Sequence, residues 1–120
     1  MKPYFYKCEL ERVIDGDTVD VTINLGFDVQ LKKQRLRLHG IDTPESRTRN
    51  LAEKALGLAA KERLIELCGE TLNIQSLGKG KYGRILAIPY TLDDRNICEM
   101  LIEEGHAVEY FGGKKVKVWG

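Results

Sequence analysis

The chain has 120 residues, 42% hydrophobic and 31% charged, with 19 Lys and Arg against 18 Asp and Glu for a formal net charge of +1. That length suits one domain with a single core, expected to span residues 1–120, and the composition is that of an ordinary soluble globular protein. No apolar run is long enough to cross a bilayer, the first nine residues do not read as a secretory signal, and the near-neutral balance gives no general attraction to nucleic acid.

The first strand is expected over Tyr4–Ile14, which is rich in the β-formers Tyr4, Phe5, Tyr6, Val13 and Ile14 but alternates imperfectly. Asp15-Gly16-Asp17 reads as a tight turn in which glycine supplies the backbone freedom. Val19, Val21 and Ile23 then alternate with Asp20, Thr22 and Asn24, the period of a strand with one buried face. Leu25-Gly26-Phe27-Asp28 turns the chain back, and Val29–Leu38 completes an antiparallel meander. The segment Ser46–Asn50 is polar, basic and expected to be mobile. A helix is expected over Leu51–Cys68, with Leu56, Ala60, Leu64 and Leu67 as its apolar stripe and Gly69 as its stop. Thr71–Ser76 is a fourth strand, Leu77–Gly83 a glycine- and lysine-rich turn, and Arg84–Tyr90 a fifth strand. Asn96 caps a short helix carrying Ile97, Cys98, Leu101 and Ile102, which ends at Gly105. In the tail, Val116 and Val118 alternate with lysines after a Gly112-Gly113 break, a pattern that can pair with its own barrel or with a neighbour. The order matches an α+β, mainly β fold: a five-stranded closed barrel of the oligonucleotide-binding (OB-fold) type with two helices.

The cysteines, Cys8, Cys68 and Cys98, are odd in number, widely spaced and contain no C-x-x-C pair, which argues against a disulfide framework or a zinc site. Chemistry gathers elsewhere. In Gln34–Glu45, Leu36 and Leu38 alternate with Arg35, Arg37 and His39 before the chain enters the acidic loop Asp42-Thr43-Pro44-Glu45. The arginines therefore sit opposite the core-facing leucines, and Pro44 stiffens the loop while holding Thr43 extended. Guanidinium groups beside hard oxygen ligands suit a phosphate, a hard cation, or both.

Three islands, Asp15-Gly16-Asp17-Thr18, Arg37–Glu45 and Lys81-Tyr82-Gly83-Arg84, together supply what phosphodiester hydrolysis needs. Asp17, Asp42 and a loop carbonyl are oxygen ligands for a divalent ion. Arg37 and Arg84 can clamp phosphate oxygens, and Glu45 can orient or deprotonate a water.

With Ile14-Asp15-Gly16-Asp17-Thr18, Arg37 followed by Ile41-Asp42-Thr43-Pro44-Glu45, and Lys81-Tyr82-Gly83-Arg84 in this order, the chain resembles the staphylococcal (micrococcal, thermonuclease-type) nuclease family from about Leu10 to Phe111. The resemblance implies an OB-fold nuclease with a Ca2+ cofactor that cleaves DNA and RNA and leaves 3′-phosphate ends. It implies Asp17 and Asp42 as calcium-binding carboxylates, Thr43 as a carbonyl ligand, Glu45 as the general base, and Arg37 and Arg84 as the phosphate-binding arginines. Lys81 and Tyr82 would contact a terminal phosphate. Tyr110 and Phe111 are the candidates for the aromatic contact to the nucleotide, with Gly113 where a second ring might stand. Family members with a longer C-terminus carry a third helix, so this chain reads as a short form.

Other polar residues have plainer readings. Asp15 reads as a turn or supporting residue, Arg35 as a solvated strand residue, His39 as a rim residue and His106 as a helix-end residue. Arg47 and Arg49, like Lys114, Lys115 and Lys117, either contact a nucleic-acid backbone or are simply solvated. The overall expectation is a calcium-dependent endonuclease acting on DNA and RNA, preferably single-stranded or unpaired, as a cytoplasmic monomer without membrane contact. Secretion after processing stays open. The alternative is a non-catalytic OB-fold module that binds nucleic acid or protein.

Overall fold

A computed structural model of the protein describes residues 4–79 and 84–110. Three strands form the meander: β1 (Phe5–Asp15), β2 (Thr18–Gly26) and β3 (Val29–Leu38). The alternation read in the sequence is the burial pattern, since Val19, Val21, Ile23, Leu36 and Leu38 all point into the core while Asp20, Arg35 and Arg37 lie on the outer face. Phe27 and Asp28 turn the hairpin with φ of 55° and 61°, the left-handed pair whose twist matches that of the flanking strands.

After β3 come β4 (Ile41–Asp42), α1 (Leu51–Cys68), β5 (Thr71–Lys79), β6 (Ile85–Tyr90), α2 (Ile97–Glu103) and β7 (Val108–Glu109). The barrel closes in the order β1-β2-β3-β6-β5. Its two closing seams are the antiparallel β1–β5 pairing and a short parallel one, in which Leu36, Arg37 and Leu38 lie beside Ile85, Leu86 and Ala87. The expected α+β, mainly β barrel with two helices is the observed fold. The β4–β7 ribbon had no counterpart in the sequence reading, because two-residue strands carry no periodicity to detect. Among the described residues, no helix is long and apolar enough to cross a membrane.

Helix α1 begins where Asn50 Oδ1 accepts hydrogen bonds from the Ala52 and Glu53 amides, both at 3.1 Å. It ends where Gly69 takes a φ of +61° and donates to the Ile65 carbonyl. Its inward face differs from the stripe expected. The buried residues are Gly57, Ala60, Leu64 and Cys68, whereas Leu56 is 44% exposed and Leu67 only partly buried. Backbone, not side chain, explains the difference. At Gly57 the helix lies directly on the loop after β4: a Cβ there would sit 2.3 Å from the Glu45 carbonyl oxygen and 2.6 Å from the Ser46 nitrogen. One turn on, a Cβ added to Gly16 in the β1–β2 turn would meet Ala60 Cβ at 2.9 Å and Thr43 Oγ1 at 3.0 Å. Small residues let the helix, the acidic turn and the Thr43–Ser46 loop touch.

Replacing a helical glycine by alanine ordinarily adds about 1 kcal/mol of stability. Gly57→Ala should reverse that sign and cost about 1–3 kcal/mol, because the new methyl must displace the Glu45 backbone. Urea unfolding measures it; a stability gain would show that the loop yields freely. Cys8, Cys68 and Cys98 are all buried, and burial pushes each thiol up to about 12. Native protein at pH 8 should therefore resist iodoacetamide and take up three equivalents only in denaturant. Rapid labelling of folded protein would contradict the packing described.

Candidate active site

The β1–β2 turn, the outer face of β3, the loop after β4 and the chain entering β6 converge on one cleft of about 320 Å³. Its walls include Asp15, Asp17 and Thr18 from the turn, Arg37 from β3, and Thr43, Pro44 and Glu45 from the loop. Arg84 and Tyr110 complete the lining. The strand pairing explains the convergence. Thr18 faces Arg37 across the β2–β3 ladder, and the parallel seam sets Arg84 one residue before Ile85, the partner of Leu36. The turn is tied to β3 by the Leu38 amide, which donates to the Asp17 carbonyl at 2.8 Å. Tyr110 is held there by its own amide, which donates to the Gly40 carbonyl at 2.9 Å beside the β4–β7 ribbon.

Arg37 is the most constrained cation of the site. Its Nη1 donates to the Leu38 carbonyl at 2.7 Å and its Nη2 to the Ile41 carbonyl at 2.9 Å. The same Nη2 lies 3.6 Å from Asp17 Oδ2. Both side chains are mostly shielded, at 16% and 15% exposure, so this ion pair is stronger than one on the open surface. Thr18 Oγ1 donates to the other Asp17 oxygen at 2.9 Å, which fixes the carboxylate plane.

The acidic loop is built from beneath. Pro44 is fully buried, Thr43 is 4% exposed and Ser46 is 3% exposed, so only Glu45 stands out into solvent. The Glu45 amide donates to Glu53 Oε2 on α1 at 3.0 Å. Ser46 Oγ donates to Asp15 Oδ1 in a short hydrogen bond, clamping the loop to the end of β1. The stretch expected to be loose therefore begins at a buried, anchored residue. Ser46, Glu53 and Gly57 hold Glu45 in place, and the sequence reading passed over all three roles. The one available signal was Gly57: a glycine within a helix pattern usually marks a close approach of another chain segment.

Asp17, Arg37, Thr43, Glu45, Arg84 and Tyr110 thus share one cleft. Asp42 does not line it; this residue is 3% exposed, in β4 opposite Val108. His39 is also outside the lining, its amide bound to the Ala87 carbonyl. Lys81, Tyr82 and Phe111, expected near the substrate, lie outside the described residues.

Hard oxygens would suit a hard cation here. Thr43 Oγ1 is buried with no hydrogen-bond partner among the described residues, and Asp17 opens into the same cleft. Among the described residues no three acidic, histidine or cysteine side chains form a ready metal cluster. A cation here would rest on few protein ligands and leave coordination positions for water and phosphate.

Residues 35–118 match the model of the family described as staphylococcal nuclease homologue. The SPbeta prophage-derived endonuclease YokF of Bacillus subtilis (strain 168) is 36% identical over 102 residues, covering 82% of this chain and 32% of that protein. Endonuclease YncB of the same strain is 36% identical over 102 residues, 82% of this chain and 45% of its own length. A micrococcal nuclease of Shigella flexneri is 30% identical over 114 residues, 88% of this chain and 59% of that protein. The chain thus spans between about a third and three fifths of the length of these curated relatives. A match over 84 of 120 residues, reaching from the end of β3 with Arg37 through the acidic loop and the barrel's closing strand, places this chain in the staphylococcal nuclease homologue family.

Proposed function

We propose that these 120 residues act as one nuclease domain that hydrolyses phosphodiester bonds of DNA and RNA with Ca2+ as cofactor, leaving 3′-phosphate ends. The observation that carries this reading is the convergence of Asp17, Arg37, Thr43, Glu45 and Arg84 on one cleft from four separate chain segments. The ion, when bound, would offset phosphoryl charge, with Asp17 and the Thr43 carbonyl as the cleft residues to hold it; Asp42, buried outside the lining, joins them only through the family resemblance.

Arg37 and Arg84 would take the non-bridging phosphate oxygens. Arg37 is already oriented by two backbone carbonyls, so little rotamer freedom is lost when a phosphate arrives. Glu45 would accept a proton from an attacking water. The new phosphorus–oxygen bond forms as the bond to the 5′ oxygen breaks, the phosphate stays on the 3′ side, and the leaving oxygen is protonated from solvent. Water as nucleophile makes a ribose 2′-hydroxyl unnecessary, which supports activity on both polymers. Single-stranded substrate is favoured because the chain must bring one phosphate down into a narrow cleft between arginines and the acidic loop.

Digestion of single-stranded DNA and RNA with calcium, with magnesium and with a chelator tests the reading. Cleavage is expected with calcium and none with chelator, with product ends that accept a 3′-phosphatase. Folded protein that leaves both polymers intact in calcium would favour the binding-module alternative. Arg84→Ala and Glu45→Gln should each lower turnover by about 10²–10⁴-fold with folding retained. Gly57→Ala, by moving the Glu45 backbone, should lower it by roughly 10²-fold. Near-normal turnover in any of the three would reject the role given to that residue.

A further inference from the structure

A second charged feature lies beside the cleft on the outer face of the barrel. The register sets Arg12 of β1 opposite Asp20 of β2, and Asp20 opposite Arg35 of β3, in one row across three strands. Asp20 bridges the two cations. Arg12 Nε reaches Asp20 Oδ2 at 3.2 Å, while Arg35 Nε reaches Oδ1 at 2.8 Å and its Nη2 reaches Oδ2 at 3.1 Å. Both guanidinium groups are thereby ordered while Arg12 stays 66% and Arg35 45% exposed. These hydrogen bonds, led by the one from Arg35, hold the Asp20 carboxyl below its usual range, so it stays ionised and keeps both arms in place.

Arg12 and Arg35 line a groove of about 240 Å³ together with Arg47 and Lys61. Arg47 also borders a hollow shared with Asp15 and Glu45, both of which line the cleft, so groove and cleft adjoin through shared lining residues. Arg35 and Arg37 stand two residues apart on one face of β3, about 6.7 Å along the strand. Four cations thus meet three carboxylates, Asp20, Asp15 and Glu45, along groove and hollow, on a molecule whose whole net charge is only +1.

We infer that this groove is a binding track for the phosphodiester backbone of a nucleic-acid single strand, running outward from the cleft past Arg47 to Lys61, Arg12 and Arg35. The inference rests on the nucleic-acid reading of the cleft. It explains why two arginines share one carboxylate: a single Asp20 orders both without cancelling their charge. The track contacts phosphates and reads no bases, so it serves affinity for long strands rather than sequence choice. Arg35 is then more than a solvated strand residue, and Arg47 more than part of a loose basic loop.

Fluorescence anisotropy with a labelled 16-nucleotide single strand, in chelator so that nothing is cut, tests the track. For the Arg12→Gln, Lys61→Gln double variant the Kd should rise about tenfold at low salt, and the slope of log K against log salt should fall by about 1.4, for two lost phosphate contacts. Lys61→Glu alone, at a partly exposed helix position, should weaken binding in the same direction and guards against a folding defect in the double variant. Unchanged Kd and salt slope in both variants would overturn the track, whatever the cleavage assays give. A protein that cuts nothing with calcium but shows these losses would keep the track and lose the nuclease reading.

Discussion

The rest of the site depends on how closely helix α1 lies on the loop after β4. A helix carrying a side chain at position 57 would hold that loop away by the width of a methyl group, and the Glu45 carbonyl would move with it. With glycine there, and with Ala60 and Gly16 meeting one turn further on, three backbones come into contact and leave little room to relax. The hydrogen bonds from the Glu45 amide to Glu53 and from Ser46 to Asp15 then tie the loop to the helix on one side and to the barrel on the other. Glu45 is exposed, yet the chain that carries it is fixed on both sides.

Charge is managed in two ways. Near the cleft, Asp17 and Arg37 face each other with little exposure, and each is further held by neutral partners, Thr18 for the carboxylate and two carbonyls for the guanidinium. Shielded charges of this kind are expensive unless satisfied, and here they are. On the outer face, Asp20 and its two arginines are open to solvent, where an ion pair adds little stability and its effect is mainly to orient. The first arrangement fixes a shielded cation and carboxylate at the cleft. The second fixes two cations on an open surface.

Much of this was legible in the chain. Strand β3 and helix α1 begin and end where strand alternation, the apolar helical pattern and Gly69 indicated, because those signals are local. Leu36 and Leu38 point inward, and Arg37 reaches the cleft, for the same reason. The face of α1 was misread because the helix carries leucines on several sides, and the choice among them was made by a loop whose position only the fold supplies. The β4–β7 ribbon and the parallel seam join segments far apart in sequence, and pairing of that kind leaves no mark in a local pattern. Asp42 could be named as an acidic residue of the loop, but not that it would be buried while Glu45, three residues on, would be exposed.

The two seams that close the barrel, β1 with β5 and β3 with β6, join strands widely separated along the chain, and the second brings Arg84 to Arg37. Contacts of such span repay the entropy of loop closure only after the loops are drawn in, so they belong to the late part of folding. A partly folded chain holding only the β1–β2–β3 meander possesses Asp17 and Arg37 but has no cleft. The cleft then appears only with barrel closure, since the segments that line it share no surface until both seams are joined.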